Sequence, residues 1–197
     1  PELTGSKEAD VTNELASFEV LEGFEVNLFA DESHGVRNPL SLRWDARGRM
    51  YVACSDVYPQ VEPGVRGYDR VITLRDTDND GRADESGVFA EGLLIPTGME
   101  VGPDRVYIGQ GPELLTLRDT NGDGVADERT VVLTGFGNGD SHQTSNSFVW
   151  SPGGELWWCQ GDGIESRVET PFGVSSLFQA GVYRLRPNEL RLDPLLD

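Results

Sequence analysis

Lysine is nearly missing from this chain. Lys7 is the only one in 197 residues, so almost all of the basic charge is arginine. Basic residues are also outnumbered: 16 Lys and Arg stand against 34 Asp and Glu, giving a net charge of −18. That balance argues against nucleic acid and anionic membrane surfaces as partners. The sequence has no apolar run approaching the roughly 18 residues that a membrane-spanning helix needs, so no span is expected in this chain. Two cysteines, Cys54 and Cys159, do not make a disulfide framework. There is no P-loop or dinucleotide-type glycine loop, no defensible Ser/His/Asp set and no CxxCH haem motif. Only two histidines occur, His34 and His142. The chain opens on Pro1, so any signal peptide is expected to be already removed or not included.

Turn-forming residues are plentiful, with 24 Gly and 11 Pro, and 37% of the residues are hydrophobic. That composition predicts a globular domain of many turns and short strands rather than long helices. The turns include one acidic phrase written twice: "RDTDNDGRADE" at 75–85 and "RDTNGDGVADE" at 118–128. Nine of the 34 acids lie in these two stretches; if the loops hold cations, much of the acidity is site chemistry, the plainer alternative being an acidic surface from a salty or periplasmic setting, and both can hold together. Asp76, Asp78 and Asp80 fall at positions 1, 3 and 5 of a calcium-type ligand string. Gly81 permits the sharp turn at position 6, Arg82 offers a backbone carbonyl at 7, and Asp84 sits at 9. The second loop supplies Asp119, Asn121, Asp123, Gly124, the Val125 carbonyl and Asp127. An EF-hand would also need Glu at position 12 and flanking helices. Position 12 is Gly87 or Thr130, and the flanks are short and β-branched. The loops therefore read as strand–loop–strand sites for two Ca²⁺ ions, structural rather than catalytic. The plainer alternative is a pair of solvated Asp/Asn/Gly turns.

The repetition extends past the loops. Residues 38–56, 95–113 and 145–162 align as a strand, a tight turn and a second strand. A third strand ("RVITLRD", "ELLTLRD", "GVYRLRP") and a fourth ("GVFAEGL", "TVVLTGF", "LRLDPLL") follow each. In this alignment Cys54 and Cys159 fall one position apart, so they face opposite sides of their strands and are not expected to pair. Four antiparallel strands per unit of about 40–55 residues is the pattern of β-propeller blades. The expected fold is thus all-β: an N-terminal arm at 1–17 and a partial propeller at 18–197, with blades at about 38–93, 95–136 and 145–197. Propellers typically have about four to eight blades, so three suggest half of a larger ring. "GFEVNLFAD" at 23–31 reads as a lone strand of the kind that completes a last blade. Blade three carries an insertion, "GIESRVETPFGVSSLFQ", of a kind that often shapes a binding face.

Several motifs, in order, resemble one family: "SFEVLEGFEVNLFADE", "NPLSLRWDARGRMYVA", "DTDNDGRADE", "GLLIPTGM" and "LTGFGNGDSHQTSNSFVWSPGGELWWCQGD". They look like the N-terminal half of the membrane-bound dehydrogenases of planctomycetes and verrucomicrobia. Those are six-bladed propellers similar to the soluble quinoprotein glucose and sorbosone dehydrogenases. The resemblance implies a periplasmic or secreted enzyme that oxidises a sugar or alcohol with pyrroloquinoline quinone, the remaining blades as partners, and a cytochrome c domain as a further one. It implies His142 as general base, with Gln143 beside it and Asp162 at the same rim, the imidazole being suited by its near-neutral pKa. The chain departs from the pattern in two places. Related enzymes often carry Asp directly before the His, where this chain has Ser141 with Asp140 one further back, and an Arg soon after, where it has Asn146 and Ser147. Asp56, Tyr58 and Glu113 follow second strands and are further rim candidates, while His34 reads as a surface-loop residue. The alternative function is a non-catalytic, calcium-stabilised propeller serving as a carbohydrate- or protein-binding scaffold.

Overall fold

A computed structural model describes residues 7–195 apart from residue 65. An α-helix, Lys7–Ser17, leads into a stretch without ladder pairing and a 3-10 turn at Glu32–His34. Residues 1–6 of the expected arm lie outside the described residues. The remaining regular elements are strands. β1 (Pro39–Trp44), β2 (Met50–Cys54), β3 (Asp69–Arg75) and β4 (Glu85–Leu93) form one antiparallel sheet in chain order. β5 (Gly98–Val101), β6 (Val106–Gln110), β7 (Glu113–Arg118) and β8 (Glu128–Thr134) form the second. The third holds β9 (Asn146–Trp150), β10 (Leu156–Gln160), β13 (Gly181–Arg186) and β14 (Arg191–Leu195). A separate hairpin, β11 (Ser166–Thr170) with β12 (Gly173–Leu177), lies within the blade-three insertion. These are propeller blades, with the innermost strands β1, β5 and β9 side by side.

Alternation of side chains along each strand gives every blade two apolar faces, and the core lies between blades. Tyr51, Ala53, Val71 and Phe89 of blade one meet Met99, Val106, Ile108, Leu115 and Leu117 of blade two. The opposite face of blade two, with Tyr107 and Leu114, meets Phe148, Leu156, Trp158, Tyr183 and Leu185 of blade three. Trp157 and Trp158 take opposite faces: Trp158 is buried against Phe148 and Tyr183, while Trp157 lies under the Arg184 guanidinium on the other side. Cys54 and Cys159 are both free.

Polar clamps tie the blades at their ends. Asp69 is fully buried and accepts from the Ser55 hydroxyl (2.7 Å), the Asp56 amide (2.8 Å) and the Ile95 amide (2.7 Å), which fixes the crossing from blade one to blade two. Near the axis Arg43 on β1 donates to Glu100 on β5 (2.9 Å) and to the Phe148 carbonyl on β9 (2.7 Å), so one side chain joins all three blades. Three such donors and acceptors, two of them charged, are stronger than neutral pairs.

The stretch 23–31 is not a strand here. It pairs with no strand among the described residues, and an isolated extended segment has no ladder to define it.

Candidate functional site

Strand order places the two motif classes at opposite ends of the blades. The turns joining first to second strands and the acidic loops joining third to fourth strands emerge at one end. The second-to-third connections and the crossings between blades emerge at the other. The acidic loops therefore sit at the end away from His142. Ion pairs agree: Arg118 reaches Asp104, in the first turn of its own blade, at 3.5 Å.

His142 sits on the crossing from β8 to β9. Asp140 accepts from both the His142 amide and its ring Nδ1, each at 2.9 Å. Since a carboxylate only accepts, Nδ1 carries the proton, and in the neutral ring Nε2 is left as an acceptor. These two bonds, the backbone one foremost, hold the Asp140 carboxyl below its ordinary range. Asp140 thus reaches the His142 ring from two residues back in the chain. The Tyr58 ring meets the imidazole edge-on at 5.2 Å, and the Ser141 hydroxyl donates to the Pro59 carbonyl at 2.6 Å. A cavity of about 530 Å³ opens here, between Pro59, Gln60, Val61 and Ile95 on one side and residues 138–142 on the other. Gln143 reaches the turn that holds Asp162: Gly161 donates to its carbonyl at 2.8 Å, and its side chain fills the space a Cβ at Gly161 would take. Asp162 itself accepts only from the neighbouring Gly163 amide, and no bond joins it to His142 among the described residues. Asp56 pairs with Arg70 and Glu113 accepts from the Gln110 amide, and no bond joins either to His142 among the described residues. His34 pairs with Asp31 in the turn before blade one.

The loop carrying His142 is held from behind by the insertion. A Cβ at Gly135 would fall 2.2 Å from the Arg167 carbonyl, and one at Gly137 would fall 2.5 Å from that of Glu165. Arg167 donates to Gly135 (2.8 Å) and Gly137 donates to the Ser166 hydroxyl (2.8 Å). The start of the insertion therefore braces the site, while its hairpin runs along the outer strands β8 and β14 rather than over the cavity. The alternating "GFGNG" was the sequence signal for this brace. With Asp140 replaced by alanine, the neutral His142 ring should shift from the Nδ1–H form toward Nε2–H. Nitrogen chemical shifts of the two ring positions read this directly, with His34 as an internal reference.

The acidic loops share one internal pattern. Asp76 accepts from the Asn79 and Gly81 amides, and Asp119 from those of Gly122 and Gly124. Asp78 accepts from Asp80, and Asp80 from Arg82; Asn121 accepts from Asp123, and Asp123 from Val125. Asp84 and Asp127 each take the amide and hydroxyl of a threonine, Thr77 or Thr120. The Thr77 bonds hold Asp84 below its ordinary carboxylate range. Burial pushes Asp119 up, but the amides of Gly124, Gly122 and Asp123, with the Arg49 charge, outweigh it and bring the carboxyl down. One ligand oxygen each from Asp76, Asp78 and Asp84 lies within 4.8 Å of the others. No Arg or Lys forms an ion pair with Asp76, Asp78, Asp80 or Asp84 among the described residues. Converging carboxylates without a counter-charge fit a hard divalent cation. The fit is poorer for the second loop, where Asn121 replaces a carboxylate and Arg47 and Arg49 line the same groove. Pyrroloquinoline quinone is different. Among the described residues no Arg or Lys lines the cavity beside His142, so those residues do not fit the quinone's carboxylates there.

Titration with calcium should therefore raise the melting temperature, and loop one should bind more tightly than loop two. At a hundred times its Kd, one ion adds about 2.7 kcal/mol. Asp78→Ala and Asp123→Ala should each remove one calorimetric site, and silence at millimolar calcium would reduce both loops to ordinary turns.

No helix among the described residues is long and apolar enough to cross a membrane. The family model described as Domain of unknown function (DUF7133) matches residues 10–195. No curated protein matches the chain. Among solved structures, the calcium structure of a Trichoderma reesei carbohydrate-active enzyme of family AA12 is similar at 16% identity and a TM-score of 0.58, over 87% of this chain and 40% of that one. The iodide structure of the Trichoderma reesei AA12 enzyme gives 17% and 0.53, over 72% and 34%. The holo pyranose dehydrogenase PQQ domain from Coprinopsis cinerea is similar at 17% identity and a TM-score of 0.54, over 80% of this chain and 35% of that one. The chain thus spans between about a third and two fifths of these structures' length, and at this identity the likeness is one of fold.

Proposed function

The chain belongs to the DUF7133 family, and we propose that it is part of a quinoprotein-like dehydrogenase propeller that oxidises a sugar or alcohol in a periplasmic or secreted setting. The finer affiliation we propose is with the membrane-bound dehydrogenases of planctomycetes and verrucomicrobia. The observation that carries the reading is the His142 imidazole: it stands at the cavity with Nδ1 committed to Asp140 and Nε2 free to accept a hydroxyl proton. The similar structures support it, since one is named as a pyranose dehydrogenase PQQ domain and another holds calcium. Ca²⁺ at the two acidic loops would brace the blades at the end remote from the chemistry. Because no Arg or Lys among the described residues lines the cavity, the quinone would be held by blades beyond those of this chain, and a cytochrome c domain is the proposed onward electron acceptor.

That same lack of cations favours a second reading, a scaffold propeller that binds a carbohydrate or protein without redox chemistry. The two separate in one experiment. The test uses a propeller in which these blades are joined to those that complete the ring, given calcium and pyrroloquinoline quinone. The expected result is calorimetric quinone binding and reduction of an acceptor dye with at least one sugar or alcohol. Failure of both leaves the scaffold reading standing.

A further inference from the structure

The crossing from blade one to blade two carries a backbone outlier. Ile95 has a φ of +47°. That is the left-handed region, which a β-branched side chain rarely enters. The residue aligned with it in blade one is Asn38, with a φ of +41°. Each stands directly before a proline, Pro39 or Pro96, at the start of its blade. Asparagine is suited to this conformation, whereas isoleucine is strained by it. Such strain persists only where the surroundings over-determine it, and it collects at functional sites. Here the surroundings do so. The Ile95 amide donates to the fully buried Asp69 carboxylate at 2.7 Å, and its carbonyl accepts from the Thr97 amide at 2.9 Å. The Leu94 amide just before it donates to the Gln110 side chain at 3.0 Å.

Core packing does not account for the isoleucine. Ile95 is half-buried and belongs to no core cluster among the described residues. It lines the His142 cavity instead. Pro59 and Val61 make the same wall apolar, with Gln60 its polar member, whereas the other wall offers Asn138, Asp140 and His142. The two walls are tied together just beyond the cavity. The hydroxyls of Thr97 and Thr144 meet at 2.8 Å, and Thr97 donates to the Ser145 carbonyl at 2.9 Å. We infer that Ile95 sets the specificity of this cavity. The ligand it selects is an alcohol whose hydroxyl meets the His142 imidazole and whose remaining face is hydrocarbon. An alcohol hydroxylated on every side is disfavoured, because a hydroxyl pressed against Ile95 gives up water and gains no partner. This inference rests on reading the cavity as a site of alcohol oxidation, and it narrows the substrate class there.

The test titrates the full-length chain with cyclohexanol and, separately, with myo-inositol. The two share a carbon ring of one size and differ in the hydroxyls on its other carbons. The readout is the ring-nitrogen shifts of His142, with His34 as the internal reference. Cyclohexanol should move His142 and leave His34 in place, with half-saturation at about tenfold lower concentration than myo-inositol. Ile95→Asn, the residue type that blade one uses, should erase that difference without lowering the melting temperature, since relief of strain offsets the lost apolar contact. Ile95→Gly should do the same. An equal or reversed preference, no shift with either probe, or a preference that survives both substitutions would overturn the inference. A clear drop in melting temperature in both variants would make Ile95 a packing residue and overturn it as well. The titration needs neither quinone nor turnover. A ring-complete propeller that fails to bind quinone or reduce the dye would sink the dehydrogenase reading and leave the answer on Ile95 standing.

Discussion

Gly98→Ala should cost about 3 kcal/mol, at the upper end of the overpacking range. A Cβ at Gly98 would lie 2.1 and 2.4 Å from two ring carbons of Phe148 and 2.7 Å from the Ser145 carbonyl. Gly98 on β5 pairs directly with Gly109 on β6, and a Cβ there would also fall 2.9 Å from the same ring. The two glycines form a flat slot in the inner part of blade two, and blade three inserts Phe148 into it. The ring cannot retreat, because its other face stacks on Trp158 with centroids 5.2 Å apart and planes 4° from parallel. Trp158 is backed in turn by Tyr183 and Phe136. A methyl group at Gly98 therefore separates blades two and three. In a domain of this size the melting temperature should fall by roughly 6–12 °C. Phe148→Ala should cost about 3–5 kcal/mol through the cavity it leaves. Gly98→Ala combined with Phe148→Leu should cost less than the sum of the two single changes, since the smaller side chain vacates part of the clash. Additive losses in urea unfolding would mean that the slot is not what sets the blade spacing.

That slot shows why only part of the molecule was legible beforehand. The repeated acidic loops and the four-strand units could be read from residues close in sequence, because turn chemistry and strand alternation are local. The pairing of Gly98 with Gly109, and their meeting with Phe148, needs strand register and blade order together. His142 could be picked out only by resemblance, and the sequence comparison treated Asp140 as displaced. The structure shows that a two-residue backbone turn suffices for its carboxylate to reach both the amide and the ring of His142. Ser141, between them, ties the site to blade one through Pro59. The stretch expected as a strand at 23–31 has no ladder among the described residues: alternation predicts the readiness to pair, but a ladder also needs a partner.

His142→Ala should lower the rate of substrate oxidation by about 10²–10⁴-fold in the ring-complete propeller, the usual worth of a positioned general base. The argument rests on what the imidazole does and does not hold. Its Nδ1 is used by Asp140, its ring is flanked by Tyr58, and more than half of the side chain is exposed toward the cavity. It belongs to no core cluster among the described residues, so its loss should leave the melting temperature nearly unchanged. The proposed quinone-holding groups lie on other blades, so quinone affinity should persist. The calcium response should persist as well, since the acidic loops emerge at the opposite end of the blades. A variant that loses turnover while keeping stability, quinone binding and calcium response isolates the proton transfer at Nε2. Turnover that survives the substitution would place the base elsewhere, and parallel loss of stability and turnover would make His142 a structural residue of its loop.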